Sequence, residues 1–101
     1  MTESYPQNVF ESTHPLVRHK VTILRQTDTG VRRFREVVWE LVGLLAYEAL
    51  ADLALAEKEI TTPLTDTTGV VLTERVALVP ILRAGLGMVD PIWNLLPEAQ
   101  V

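Results

Sequence analysis

Residues 75–88 carry the sequence RVALVPILRAGLGM, and this stretch decides the fold that we expect. Its first part, Arg75–Leu82, is apolar almost throughout and has the length of a strand. Apolar residues that do not alternate with polar ones indicate a strand buried on both faces, as in the parallel sheet of an α/β protein. Pro80 has no N–H to donate, so we expect regular strand pairing to end there on one side.

The second part of this stretch predicts a ligand site. Arg83, Gly85 and Gly87 follow the strand at the edge where α/β proteins bind ligands, and a helix that begins there favours phosphate. Glycine lets the backbone approach an oxyanion, and arginine grips phosphate with two parallel bonds. The spacing alone is not specific, because it lacks the third glycine of a dinucleotide fingerprint and the lysine of a P-loop. An ordinary strand-to-helix turn remains an alternative.

Downstream of this stretch the pattern predicts a helix and a new strand. The apolar helix begins either at Asp90-Pro91 or near Leu86, and it ends before Pro97. Residues 99–101 then have the pattern of a starting strand. A strand, a helix and a second strand are the start of a parallel crossover unit.

Upstream, the pattern predicts two helices. His14-Pro15 marks the start of a short helix whose apolar positions begin at Leu16, with Pro15 near its first turn, where the missing N–H costs nothing. A turn at residues 27–30 then caps a long helix from Val31 to about Leu53. The apolar stripe of the long helix is wider than a single face, so we expect it to be covered on more than one side.

Between the long helix and residue 75 the period changes to that of a hairpin or small flap. Its two short strands are predicted at residues 59–64 and 70–72, with the turn at residues 65–69. The polar residues 1–13 show no period, and we expect them to form a flexible N-terminal arm. We assign the remaining residues, 14–101, to one domain.

The composition describes at most one globular domain of 101 residues, 48% of them hydrophobic, with a formal charge of −4. The chain has no cysteine, which excludes a disulfide framework, a cysteine zinc site and a thiol nucleophile. Two histidines are the only other soft ligands, so we expect no transition-metal site. No apolar stretch reaches the roughly 18 residues of a membrane span, and residues 1–15 show no secretory signal. A cytoplasmic protein is therefore expected.

Charge is unevenly distributed along the chain. Residues 14–35 carry a net charge of +5, and the remainder carries −9. A basic segment on an acidic protein argues against general binding of nucleic acid and favours a small anion or an acidic surface, although a solvated face fits equally well. The six basic residues of this segment are Arg18, Lys20, Arg25, Arg32, Arg33 and Arg35.

Individual side chains outside the loop have structural interpretations. Arg32 and Arg33 lie in the first turn of the long helix, where a cation opposes the helix dipole unless an anion or an acidic neighbour is near. We expect structural roles for both histidines and a core or subunit-interface position for both tryptophans. The three glutamates of the long helix are predicted to lie on a solvated face or in ion pairs with nearby arginines. These residues are His14, His19, Trp39, Trp93, Glu36, Glu40 and Glu48.

Residues 79–88, VPILRAGLGM, closely resemble the pyrophosphate-contacting loop of the uracil phosphoribosyltransferase family. Further landmarks of that family occur in the same order, and the resemblance covers residues 13–101. They are HPLVxHK at 14–20, TxLR at 22–25, FRE at 34–36, AYEA at 46–49, TPL at 62–64 and LPxAxV at 96–101.

The resemblance implies an α/β chain that forms the N-terminal portion of a type I phosphoribosyltransferase fold. The implied reaction is that of a glycosyltransferase of pyrimidine salvage: transfer of phosphoribosyl from phosphoribosyl pyrophosphate (PRPP) to N1 of uracil, giving UMP and diphosphate with Mg²⁺ present. By the same resemblance Arg83 binds the pyrophosphate, while the backbone of Ala84 and Gly85 lines the loop. No catalytic residue and no metal ligand is assigned. Loops of this superfamily can hold a non-proline cis peptide, which we expect near residues 82–84.

Other parts of the family pattern do not occur in these 101 residues: the acidic PRPP loop, a second phosphate-binding arginine and the region that contacts uracil. We therefore expect the front half of a larger domain, truncated on its C-terminal side and inactive alone. The alternatives are a short, non-catalytic interaction or regulatory subunit, and a generic nucleotide-binding module in which the basic segment lies near Arg83.

The resemblance also suggests partners beyond PRPP and uracil. Some family members are activated by GTP, and four basic residues are candidates for such an anion site or for a dimer contact: Arg18, Lys20, Arg25 and Arg32. A homodimer or larger homo-oligomer is expected. Neither nucleic acid nor a membrane is expected as a partner.

Overall fold

A computed structural model describes residues 7–101, so the first six residues of the predicted arm lie outside the described residues. The chain has α/β architecture, as predicted. Its elements in order are α1 (Pro15–Arg25), α2 (Val31–Ala49), the strands β1 (Leu55–Thr61) and β2 (Asp66–Leu72), a 3₁₀ helix (Ala84–Met88) and α3 (Val89–Leu95). No helix within residues 7–101 has both the length and the apolarity that crossing a bilayer requires.

Helix α1 begins where the sequence predicts it. His14 is the N-cap, and its Nδ1 accepts a hydrogen bond of 3.1 Å from the backbone N–H of Leu16. This bond satisfies one of the amide groups that the first helical turn leaves without a partner, and Pro15 has no amide to satisfy. The structural role predicted for His14 is confirmed.

Helix α2 begins at Val31 as predicted but ends at Ala49, four residues before the predicted end. Gly30 occupies the N-cap position and makes no side-chain cap bond. At the other end the chain forms turns, in which Leu53 donates its N–H to the carbonyl of Leu50 at 3.2 Å. No glycine or proline marks this end, so the apolar periodicity continued past it and the predicted boundary was wrong.

The core lies where α1 packs on α2, and α3 packs on another side of α2. Three residues are buried at the contact of α1 and α2: Val17, Val37 and Leu41. Pro91 of α3 is fully buried as well. Helix α2 is thus covered on more than one side, as the width of its apolar stripe predicts.

Strands β1 and β2 form an antiparallel hairpin, but its turn is not where the sequence predicts it. The register pairs Leu55 with Leu72 and Thr61 with Asp66, so the turn spans residues 62–65. There the Thr62 hydroxyl donates to the Thr65 carbonyl at 2.6 Å and accepts from the Thr65 N–H at 3.1 Å. Residues 65–69 looked like a turn because of Gly69, but this glycine lies inside β2.

Gly69 has a packing role in the hairpin. It pairs with Lys58, and a Cβ at this position would lie 3.2 Å from Cδ1 of Ile60. The Ile60 side chain therefore covers the backbone of the opposite strand. A glycine inside a strand is typical of such a close approach.

Of the predicted parallel crossover unit, the helix and a single parallel bridge are present. Ala77 and Gln100 form a parallel bridge, in which Gln100 donates its N–H to the Val76 carbonyl at 3.0 Å and accepts from the Leu78 N–H. The predicted parallel direction is confirmed, but of the strand predicted to start at residues 99–101 only Gln100 pairs with residues 76–78. The single bridge lies before Pro80, so the end of regular pairing at that proline stays a prediction.

The burial predicted for Arg75–Leu82 is wrong for this chain. Val79 is 87% exposed and Ile81 is 84% exposed, and beyond the single bridge no regular strand forms. A strand is buried on both faces only if strands and helices flank it on every side. Within the described residues only Gln100 pairs with this segment.

Candidate functional site

The predicted ligand loop is a tight turn between the parallel bridge and α3. The peptide bond between Leu82 and Arg83 is cis, at the place where the family resemblance predicts one. Gly85 donates its N–H to the Ile81 carbonyl at 2.8 Å, and Leu86 donates to the Arg83 carbonyl at 3.0 Å. The 3₁₀ helix that begins at Ala84 continues directly into α3 at Val89, so helical backbone starts two residues before Leu86, while the α-helix starts one residue before the alternative start at Asp90-Pro91.

Gly85 lies against Pro80 inside this loop. A Cβ on Gly85 would be 3.3 Å from both Cα and Cβ of Pro80, closer than most Cβ contacts in proteins. Absence of a side chain at residue 85 therefore lets the loop close on itself. Because the Gly85 amide already donates to Ile81, this glycine shapes the loop and its N–H is not available to a ligand.

Arg83 and Ala84 supply the polar groups of the loop. The Arg83 side chain is exposed and has no carboxylate within salt-bridge distance among residues 7–101. Within the same part of the chain, the backbone N–H groups of Arg83 and Ala84 have no hydrogen-bond acceptor. One guanidinium and two adjacent amides are thus left for an anion, which is the donor set that phosphate oxygens prefer.

An apolar groove of about 540 Å³ lies beside the loop. None of its lining residues is charged, and none belongs to the basic segment at residues 14–35. Its lining consists of Ala77, Leu78, Val79, Pro80, Ile81, Ala84, Gly85, Met88, Val89 and Ile92. The groove itself is therefore unsuited to an anion, and the anion-binding groups lie at the Arg83 turn.

Half of the basic segment is neutralised by two glutamates of α2. Lys20 forms an ion pair with Glu40, and Arg33 lies 3.4 Å from a carboxylate oxygen of Glu36 and 3.5 Å from one of Glu40. Arg32 lies 3.5 Å from Glu36. These contacts confirm the ion pairs predicted for Glu36 and Glu40, and they place acidic neighbours beside the two cations at the start of α2.

Glu40 forms one ion pair with a residue of α1 and another within its own helix. The hydrogen bond from Lys20 holds the pKa of the Glu40 carboxyl below its ordinary value, and the charges of Lys20 and Arg33 act in the same direction. Partial burial opposes this effect by disfavouring the charged form. Glu48 lies on the exposed face of the helix and accepts a hydrogen bond of 2.8 Å from the Ser12 hydroxyl.

Three of the six basic residues remain without a carboxylate partner among residues 7–101: Arg35 on α2, and the pair Arg18 and Arg25. Both are exposed on α1, and with His19 and Thr22 they line a second cavity of about 670 Å³. This cavity shares no lining residue with the groove beside Arg83. The cavity at Arg18 and Arg25 is therefore separate from the groove beside Arg83, whereas a generic nucleotide-binding module would need both at one site.

The remaining predictions concern metal ligands and the two tryptophans. No group of three or more potential metal ligands occurs in residues 7–101. Trp39 is 44% exposed and Trp93 is 39% exposed, so neither is a fully buried core residue. The indole N–H of Trp93 donates to the Ala99 carbonyl at 2.7 Å. The sequence carried no signal for this bond.

Comparison with known proteins gives a consistent result over nearly the whole chain. Residues 11–101 match the family model described as uracil phosphoribosyltransferase. The chain is 56% identical over 95 residues to the uracil phosphoribosyltransferase of Roseiflexus castenholzii, covering 94% of this chain and 46% of that protein. It is 53% identical over 89 residues to the enzyme of that name from Streptococcus pneumoniae serotype 4, covering 87% of this chain and 43% of the relative.

A solved structure has the same fold. The AQ2163 protein from Aquifex aeolicus superposes with a TM-score of 0.81 at 40% sequence identity, over 91% of this chain and 45% of that one. The chain thus spans less than half the length of the relatives that it matches. Its fold, its loop at Arg83 and its sequence agree with one family over residues 11–101, and the chain belongs to the uracil phosphoribosyltransferase family.

Proposed function

We propose that this chain supplies the pyrophosphate-binding loop of a uracil phosphoribosyltransferase. In the proposed reaction the bond between C1 of ribose and the diphosphate oxygen of PRPP breaks, and a bond from the same carbon to N1 of uracil forms. The proton of N1 is lost, and the products are UMP and diphosphate. The proposal is supported by the family to which the chain belongs and by the names of its relatives.

The observation that carries the proposal is the donor set at residues 83–84. As the bond to C1 breaks, negative charge increases on the leaving diphosphate and positive charge develops on the ribose. An arginine and two amides held in place before the reaction stabilise the leaving group without having to reorganise. The backbone of the loop fixes the amides of Arg83 and Ala84, and the exposed Arg83 guanidinium has no carboxylate partner among residues 7–101, which supports this role.

Gly85 contributes through shape. Its contact with Pro80 and its hydrogen bond to Ile81 fold the loop back on itself, and residues 83 and 84 are exposed at what we call its outer edge. In a transfer of this type catalysis depends mainly on holding the two reactants in line, so the rigidity of the loop matters as much as its charge.

Mg²⁺ enters this proposal as part of the substrate. The described residues contain no cluster of acidic or histidine side chains that fits a metal site within the chain. The expected place of the ion is on the diphosphate oxygens of PRPP, as in other phosphate-bearing substrates. No step of the proposal depends on a metal ligand from this chain.

The proposed activity needs residues beyond these 101, because the chain contains neither the family's acidic PRPP loop nor its uracil-contacting region. We therefore expect the purified chain alone to form no UMP from PRPP, uracil and Mg²⁺. The competing function, a non-catalytic interaction subunit, would also give no UMP. Formation of UMP at the rate of a complete enzyme would contradict both.

The proposal also covers regulation by an anionic effector, self-association and cellular location. Of the four candidates for an anionic effector such as GTP, Lys20 and Arg32 already pair with glutamates, and Arg18 and Arg25 remain. Binding of GTP at these two arginines would raise the thermal unfolding midpoint of the chain. An unchanged midpoint at saturating GTP would contradict this part. We expect self-association and a cytoplasmic location.

The decisive experiment is calorimetric titration of the chain with inorganic diphosphate in the presence of Mg²⁺. Arg83→Gln should weaken binding at least tenfold, as expected when a charge-assisted bidentate contact is lost. Arg75→Gln is the matched control, since it removes the same charge from an exposed arginine upstream of the loop. Equal affinity of the wild type and the Arg83 variant, or no binding by either, would contradict the proposal.

A further inference from the structure

Trp93 joins the end of α3 to the segment that follows it. Its indole Nε1–H donates to the carbonyl of Ala99 at 2.7 Å, and Ala99 is buried. Within residues 7–101 this is the one hydrogen bond from a side chain to residues 97–101. Trp93 is 39% exposed, so this hydrogen bond holds the side chain in place and full burial does not.

The bonded carbonyl belongs to the residue before the parallel bridge. Gln100 donates its N–H to the Val76 carbonyl at 3.0 Å and accepts from the Leu78 N–H. The position of Ala99 therefore sets the position of the peptide that pairs with residues 76–78. Loss of the Trp93 bond would leave this segment held by the bridge and by the bond from the Ala99 N–H to Leu96.

The same bond ties together the two ends of the Arg83 loop. Upstream of the loop is Leu78, which is fixed to Gln100. Downstream of it the 3₁₀ helix leads into α3, which carries Trp93. The path from Leu78 through the loop to Trp93, and back through Ala99 and Gln100, is thus closed by hydrogen bonds.

We propose that Trp93 is a positioning residue for the Arg83 loop, acting through the Ala99 carbonyl. It holds the parallel pair at a fixed distance from α3 and so keeps Gly85 against Pro80, with residues 83 and 84 at the outer edge. The consequence for diphosphate binding rests on the proposed function of the loop. The mechanical link itself does not depend on that function.

Hydrogen exchange tests the mechanical link without any ligand. Trp93→Phe keeps an aromatic ring but has no N–H to donate, and Trp39→Phe is the matched control because no hydrogen bond of Trp39 occurs among the described residues. Loss of one net hydrogen bond should speed exchange of the Gln100, Leu78 and Gly85 amides about two- to tenfold in the Trp93 variant. Unchanged exchange at Gly85 would overturn the proposal, even if Gln100 became faster.

Diphosphate titration is the second arm. We expect Trp93→Phe to weaken Mg²⁺-diphosphate binding by about two- to tenfold and Trp39→Phe to leave it unchanged. Equal binding by wild type and Trp93→Phe would overturn the positioning role. Absence of binding in the wild type would instead contradict the proposed function, and the exchange data would still decide whether Trp93 holds the loop.

A variant that conserves shape guards against a folding defect in Trp93→Phe. In the Trp39→Phe background, residue 93 can be replaced biosynthetically by 3-benzothienylalanine, in which a sulfur atom takes the place of the indole N–H. The ring then has nearly the same size but no donor. Faster exchange at Gly85, reversed when tryptophan is supplied, would support the proposal, and exchange equal to that of the tryptophan protein would overturn it.

Discussion

Gly85 approaches Pro80 so closely that a Cβ on the glycine would lie 3.3 Å from the proline's Cα and Cβ. The proline atoms belong to the backbone and to a rigid ring, so they cannot swing aside as the end of a flexible side chain would. The loop that carries Arg83 is therefore shaped by the contact of two residues that have no charge.

Replacing Gly85 with alanine tests this contact. We expect Gly85→Ala to lower the unfolding free energy by about 1 kcal/mol, since added atoms in a tight contact force the backbone to shift. The shift would also move Arg83, so diphosphate affinity should fall. Urea denaturation and calorimetry measure the two effects.

Gly87→Ala is the matched control, because nothing lies within 4 Å of a Cβ at residue 87. We expect its unfolding free energy to stay within about 0.5 kcal/mol of the wild type. Equal effects of the two substitutions would show that the contact with Pro80 has no special role.

Glu40 should make stability depend on acid pH. The pKa of its carboxyl is lowered in the folded protein, chiefly by the hydrogen bond from Lys20. A lowered folded pKa contributes stability that is present above the unfolded value and is lost as the pH falls through the folded value. Glu40→Gln should therefore destabilise by on the order of 1 kcal/mol at neutral pH, and the difference from wild type should shrink below the ordinary pKa of 4.5.

Urea denaturation between pH 7 and pH 3 measures this difference, with Glu98→Gln as the control for an exposed glutamate that has no ion pair among the described residues. A destabilisation by Glu40→Gln that stays constant down to pH 3 would contradict the assignment to the Lys20 pair.

His14 should stabilise α1 as its N-cap. We expect His14→Ala to lower the unfolding free energy by about 1 kcal/mol, because the Leu16 N–H loses its acceptor. His14→Asn should retain most of the stability, since asparagine is a favoured N-cap residue. Circular dichroism during thermal unfolding measures both, and His19→Ala is the control for loss of an exposed histidine. A larger effect of the His19 variant would contradict the capping role.

Elements with local signals were predictable from the sequence. His14 and Pro15 mark the start of α1 because the cap and the missing amide act within one turn. The turn between the apolar run and α3 was predictable from its glycines and its position, whereas the anion-binding role of Arg83 came from the resemblance to the family. The ion pairs of Glu36 with Arg32 and Arg33 follow from their i,i+4 and i,i+3 spacing on α2, whereas the pair of Glu40 with Lys20 joins two helices and has no such signal.

Features that depend on tertiary neighbours were not predictable. Gly69 was assigned to a turn, whereas it accommodates Ile60 across the hairpin, and only the register reveals that contact. The bond between Trp93 and Ala99 requires the chain to reverse after α3, so no periodicity records it. The apolar run at 75–82 correctly indicates a parallel partner but says nothing of how many neighbours this chain provides.

The difference between the burial predicted for residues 75–82 and their observed exposure can be measured at Ile81, which is 84% exposed. Ile81→Ser should change the unfolding free energy of this chain by less than about 0.5 kcal/mol, because little apolar surface would be lost from the interior. A strand buried on both faces would instead lose several kcal/mol, as large-to-small substitutions in a core do. Val37→Ala is the comparison, since Val37 is fully buried and its truncation should cost about 2 kcal/mol. A cost at Ile81 equal to that at Val37 would mean that residue 81 is covered in solution, and its exposure in this fold would then be wrong.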